Sequence, residues 1–166
     1  MNNKIQSLIK EKLFTEDMNC LQRLNVISDT KSQLDQLKSY LEKLEEKQET
    51  LRFQEWFDQL VSIYPVSEYE WSRDNPYDIH LDFQYHGYNL SACLTIDGGL
   101  FWGIRCQTKP IPKRWITSIH SSVQLFLPRV QSNDWWPAWD YTSYENGLNR
   151  FLTLIEWVLE NEDQKG

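Results

Sequence analysis

Few residues in this 166-residue chain interrupt regular structure, and those that do are all on one side of it. Glycine and proline number six each, too few for a collagen-like or low-complexity chain, and neither occurs in residues 1–64. No apolar run is long enough to span a bilayer, so neither a transmembrane helix nor a membrane partner is expected. The start, Met1-Asn2-Asn3-Lys4-Ile5, lacks the apolar stretch of a secretory signal. Cysteine is scarce and odd in number: Cys20, Cys93 and Cys106, none at C-x-x-C spacing. Three small buried thiols in a reduced cytoplasm is the expectation, with a Cys93–Cys106 bridge between neighbouring strands as the alternative. Basic residues are also short, 17 Lys and Arg against 24 Asp and Glu, for a net charge of −7. That balance weighs against a surface that grips nucleic acid all round. There is no G-x-x-x-x-G-K-[ST], no G-x-G-x-x-G and no G-x-S-x-G, so neither a phosphate cradle nor a nucleophile elbow is signalled.

What is present suffices for a core: 40% of residues are hydrophobic and 14% aromatic. Composition divides the chain into a helical arm, 1–64, and a small antiparallel sheet domain with a closing helix, 65–166, together one α+β unit. Ile5, Leu8, Ile9 and Leu13 predict a first helix over about 3–13. Thr15, followed by Glu16 and Asp17, predicts a fresh helix start. Apolar residues then recur at Met18, Leu21, Leu24 and Ile27, and at Leu34, Leu37, Leu41, Leu44 and Leu51, in steps of three and four that make a short heptad pattern with Gln48 as its polar core position. This stripe fits either an amphipathic helix packed on its own domain or a homodimer seam through Leu34, Leu37, Leu41 and Leu44. Phe53, Trp56, Phe57, Leu60, Val61 and Tyr64 widen it into a face that should pack on the sheet, and Pro65 ends the helix.

A sheet is expected from about Val66–Trp71 onward. Ile79, Leu81, Phe83 and Tyr85 alternate with Asp78, His80, Asp82 and Gln84, the period of a half-buried strand. His86-Gly87 is a hairpin candidate, Tyr88–Ile96 the return strand, Asp97-Gly98-Gly99 a second turn and Leu100–Gln107 a third strand, whose common apolar face requires helices over it. Residues 108–147 hold Pro110, Pro112, Pro128 and Pro137, so long regular elements are not expected there. A short strand over Ser122–Leu127 is the best candidate, with Trp115–His120 ambiguous. Leu148–Glu160 reads as the closing helix. Lys109, Lys113, Arg114 and Arg129 give residues 108–133 a charge of +4 with no acid, so the remainder carries −11.

Three constellations bear on chemistry. Asp78, His80 and Asp82 offer carboxylate and imidazole on one strand face, a metal-dependent hydrolase at the weakest, although a solvated strand face has the same composition. His120-Ser121-Ser122 is adjacency without a triad's geometry. The block Trp135-Trp136-Pro137-Ala138-Trp139-Asp140-Tyr141 concentrates large rings around a proline. It fits a plug for the open sheet edge, a protein interface, or a stacking platform for bases.

Taken together, Ile9-Lys10-Glu11-Lys12-Leu13-Phe14-Thr15-Glu16-Asp17, Phe53-Gln54-Glu55-Trp56-Phe57-Asp58-Gln59-Leu60, Leu100-Phe101-Trp102-Gly103-Ile104-Arg105 and Trp135-Trp136-Pro137-Ala138-Trp139 occur in an order that resembles the C-terminal, accessory half of a bacterial and phage group of the PD-(D/E)XK nuclease superfamily. Nuclease chemistry in that superfamily needs an Asp on one strand and an acid-x-Lys on the next. Asp78 opens a strand here, but Tyr88–Asp97 contains no acid-x-Lys. The matches that do occur, Asp29-Thr30-Lys31, Glu45-Glu46-Lys47 and Asp163-Gln164-Lys165, lie on the helix or in the tail. No catalytic residue is carried over, and no metal or cofactor is expected. The resemblance implies a non-catalytic protein-interaction module in phage or bacterial defence or counter-defence, an accessory or inhibitor of a nuclease complex, in the host cytoplasm if phage-encoded. The expected partner-binding residues are Trp135, Trp136, Trp139, Tyr141, Lys113 and Arg114. A nucleic-acid-binding accessory role, using the Lys/Arg strip and Trp stacking, is the alternative.

Overall fold

The computed structural model describes residues 20–163; the helix expected over 3–13, the start at Thr15 and Met18 lie outside them. The chain divides into two compact units, residues 1–48 and 49–166. A helix, α1, runs Cys20–Ile63, as a stretch without Gly or Pro and rich in Leu, Lys, Glu and Gln favours. In the first unit Leu24, Ile27, Leu34, Leu37, Leu41 and Leu44 are all exposed, Leu34 least at 41% and Leu24 and Leu37 most at 58%.

The second unit is α+β. Phe53, Trp56 and Leu60 of α1 are buried in its core, with Phe53 and Trp56 ring centroids 5.2 Å apart. After Pro65 the chain turns, Glu68 N–H donating to the Pro65 carbonyl at 2.9 Å. β1 therefore begins at Glu70 and covers only Glu70–Ser72, a later start than the expected Val66. β2 (Asp78–Tyr85), β3 (Tyr88–Ile96), β4 (Leu100–Cys106) and β5 (Ala138–Tyr141) complete a sheet in sequential order with every neighbour antiparallel. The β2–β3 turn places His86 at φ 49° and Gly87 at φ 75°, the left-handed pair that a two-residue hairpin demands. Both their N–H groups donate to the Asp163 carboxylate, at 2.9 and 2.6 Å.

Alternation then sorts the sheet into two faces. Ile79, Leu81, Leu90, Ala92, Leu94, Trp102, Ile104 and Ala138 share the core face, where all are buried. The core is completed by Ile116, Ile119 and Val123 of α2 (Lys113–Gln124) and by Phe151, Leu154, Ile155 and Val158 of α3 (Gly147–Asn161). α2 replaces the strand expected over Ser122–Leu127 and resolves the ambiguous Trp115–His120. Its prolines sit outside it, Pro110 and Pro112 before the first turn and Pro128 after the last, where a helix tolerates them. Cys93 and Cys106 are free and buried rather than bridged. Cys93 lies opposite Gly103, three positions from Cys106, so the two thiols point to opposite faces. Among the described residues no helix is long and apolar enough to cross a membrane.

Candidate functional site

The second face of the sheet carries the chemistry. Antiparallel register sets it out in three rows: Asp82, Ser91 and Arg105; His80, Cys93, Gly103 and Trp139; Asp78, Thr95, Phe101 and Tyr141. Polar and charged groups thus occupy the β2 side and aromatic rings the β5 side, three strand spacings or about 14 Å away. Two loops cover this face. The segment before β2 brings Asp74 and Asn75 over it, and the segment before β5 brings Trp136 against Phe101, their centroids 5.1 Å apart.

On the β2 side the sequence grouping Asp78–His80–Asp82 is rearranged. Asp82 accepts from the Ser91 hydroxyl at 2.6 Å and is thereby engaged. Asp78 accepts from Asn75 and from Thr95. The third carboxylate near His80 is Asp74, whose Oδ2 lies 3.7 Å from Nδ1, while Nε2 lies 4.0 Å from Asp78 Oδ2. Asp74, Asp78 and His80 together offer three ligand atoms within 4.8 Å of one another, a spacing compatible with a divalent ion. Arg105 lies 3.5 Å from His80 Nδ1, a cation already placed where a metal would need none. The buried Cys93 thiol is pushed up to about 12 by desolvation, so it is not poised as a nucleophile.

Burial and then the Arg105 charge lower the His80 pKa below its ordinary 6.5, against the opposing pull of Asp78, Asp74 and Asp82. A histidine kept neutral by folding contributes full stability above the unfolded value and loses it as pH falls from about 6.5 through the lower folded value. Urea midpoints from pH 7.5 to 5 should therefore fall less steeply in His80→Gln than in the native chain. Parallel pH profiles would show that His80 is not the titrating group.

On the β5 side, Phe101, Trp136, Trp139 and Tyr141 line a pocket of about 190 Å³ with Asp97 and Asn133. Asn133 builds its lip: Oδ1 accepts from the N–H groups of Trp135 and Trp136, both at 2.9 Å, and its own N–H donates to the Trp136 carbonyl. Gln131 and Trp139 exchange a pair of backbone hydrogen bonds at 2.7 and 2.9 Å that close this loop. Three of the expected partner-binding residues, Trp136, Trp139 and Tyr141, are thus brought together, while Trp135 is outside the lining and 48% exposed.

Lys113 and Arg114 are placed elsewhere. They open α2, and the Arg114 guanidinium lies 4.8 Å from the centre of the Trp115 ring, which stacks on His86 at 3.8 Å. His86 and Asp97 mark opposite ends of β3, about 30 Å apart over nine residues. Lys109 lies over Tyr88, at the His86 end, and Arg129 beside Asp140 and Tyr141. The basic strip of the sequence is therefore divided between two ends of the sheet. Sequence reasoning missed Phe101 and Asp97 as partners of the Trp block, and Asp74 and Arg105 as partners of His80. No family model, curated protein or solved structure matches this chain.

Proposed function

We propose that the chain is a protein-interaction module that assembles through α1. The observation that carries this reading is the exposed leucine stripe of the first unit, Leu34, Leu37, Leu41 and Leu44 at a and d spacing. The partner that best suits it is an antiparallel second copy. In a parallel pair, Lys47 would face Arg52 of the other chain twice and no opposite charges would meet. With Leu34 set against Leu44 and Leu37 against Leu41 in antiparallel order, Lys31 faces Glu45 twice, and Thr30 meets Gln48, keeping polar layers together. The one like-charge contact is Lys38 with its own copy.

Exposed charge pairs contribute only about 0–1 kcal/mol each, so they select orientation while the leucines supply affinity. Eight half-exposed leucines gain roughly 1 kcal/mol apiece on burial, about 8 in all, and an association cost at the low end of about 4 kcal/mol leaves a dissociation constant of about 1 mM. A weak dimer follows. The resemblance to a nuclease accessory half supports the same role, a partner rather than a reacting chain in a phage or bacterial defence setting.

Light scattering should give a mass that rises above 19.9 kDa through the hundreds of micromolar and heads toward twice that value at millimolar concentration. Leu37→Lys with Leu41→Lys should remain at 19.9 kDa. Lys31→Glu should weaken the dimer, and adding Glu45→Lys should restore it. A native chain that stays monomeric at the highest concentration overturns self-assembly. Failure of the charge swap to restore it overturns the antiparallel register.

A further inference from the structure

We propose that the aromatic pocket beside β5 binds a methylated ammonium group, as carried by choline or by a trimethylated lysine side chain. Its walls are four aromatic side chains whose rings meet edge to face. Phe101 and Trp136 meet at 70°, Phe101 and Tyr141 at 68° with centroids 6.1 Å apart, and Trp139 and Tyr141 at 83° with centroids 5.7 Å apart. A ring face is the negative side of the aromatic quadrupole, so a cation that settles over any of these rings beside the Asp97 carboxylate is attracted by both.

The remaining lining residues, Asp97 and Asn133, include no basic side chain. Among the described residues the Asp97 carboxylate has no hydrogen-bond or ion-pair partner, so an arriving cation does not have to displace one. The acid supplies charge complementarity that a purely apolar ligand would not use.

Two features select a methylated head over a bare ammonium. A primary ammonium entering the pocket must exchange its hydration for acceptors on three N–H groups, and apart from the Asp97 carboxylate the lining has few. Asn133 Oδ1 is already engaged by two backbone N–H groups. Methyl groups need no acceptor and spread the charge over the surface that touches the rings. Size agrees: about 190 Å³ is below the roughly 300–1,000 Å³ of sites for drug-sized molecules, and suits a small head group on a stem. The hydrogen bonds of Asn133 and of the Gln131–Trp139 bridge hold Trp136 and Trp139 in place before any ligand arrives, which lowers the ordering cost of binding.

The test uses the full chain at constant ionic strength, following indole N–H resonances. Tetramethylammonium and choline should shift Trp136 and Trp139 saturably. The neutral isostere 3,3-dimethylbutanol should bind at least ten-fold more weakly. Trimethyl-lysine amide against unmodified lysine amide should show the same preference for methylation, and its strength relative to choline distinguishes a side-chain ligand from a free one. Trp136→Ala should abolish the shifts and Asp97→Asn should weaken binding several-fold, while Trp135→Ala leaves it unchanged. Asp97 is exposed, so Asp97→Asn reports even if the Trp136 variant fails to fold. The proposal is overturned if neither cation shifts the two indoles saturably, if the isostere binds as well as choline, or if Asp97→Asn has no effect.

Discussion

Trp102→Ala is expected to cost about 3–5 kcal/mol, the range for emptying the space of a large buried ring. Trp102 is wholly buried, on the middle residue but one of β4, opposite Leu94 on one side and Asp140 on the other. It shares one core with Leu94 and Ile104 of the sheet and with Phe151 and Ile155 of α3. Its indole N–H has no hydrogen-bond partner among the described residues, an orphan donor that already costs about 1–3 kcal/mol. Trp102→Phe removes that donor and keeps most of the ring, so it should cost far less than the alanine change, about 1.5 kcal/mol or under. A marginal domain of about 5–15 kcal/mol loses a large share of its stability in the first variant and little in the second. Urea denaturation with an unchanged slope measures both. An alanine variant within about 1 kcal/mol of the native chain contradicts this packing.

The contrast between β2 and β5 shows what a sequence displays and what it hides. β2 and β3 alternate cleanly because one face meets the helices and the other carries Asp78, His80, Asp82, Ser91 and Thr95, so parity and the His86-Gly87 turn place them, while β4 is placed by Leu100, Trp102, Ile104 and Cys106 although Phe101 on its second face is apolar. β5 does not alternate in hydropathy, because both of its faces have work. Trp139 and Tyr141 face the pocket, while Asp140 pairs with Arg150 of α3 at 3.3 Å. The Trp block was visible as composition, and its place at the open sheet edge was among the readings it allowed. Its partners Phe101 and Asp97 lie more than thirty residues earlier and reach it only through β4–β5 register. The α2 helix was masked by prolines that flank it, although Ile116, Ile119 and Val123 carry helical spacing. His80 was legible as a polar-face residue. Asp74 comes from a loop and Arg105 from the second strand over, so neither could be assigned by spacing along β2.

Gly103 is where the core and the pocket share a constraint, and Gly103→Ala should disturb both. A Cβ at this position would lie 2.7 Å from the Ala138 carbonyl oxygen and 2.7 Å from Trp139 Cβ, with Trp136 Cε3 at 3.1 Å. The first of these is backbone of the paired strand, so relief requires β5 to move away from β4 rather than a side chain to turn. Overpacking of this kind costs about 1–3 kcal/mol. Because β5 and the loop before it carry Trp139 and Trp136, the same displacement separates the pocket walls. Gly99→Ala is the matched control: its Cβ meets only the Tyr141 ring, at 3.4 Å, an ordinary contact. That change should stay within about 0.5 kcal/mol of the native chain. Urea denaturation of the two variants, with the Trp136 and Trp139 indole resonances and the choline titration run alongside, separates the outcomes. Gly103→Ala should unfold earlier, shift both indoles in the free protein and bind choline at least ten-fold more weakly, while Gly99→Ala keeps stability and both resonances near native. Equal behaviour of the two variants would mean that β5 is not held against β4 at Gly103, and the pocket would lose its structural basis with it.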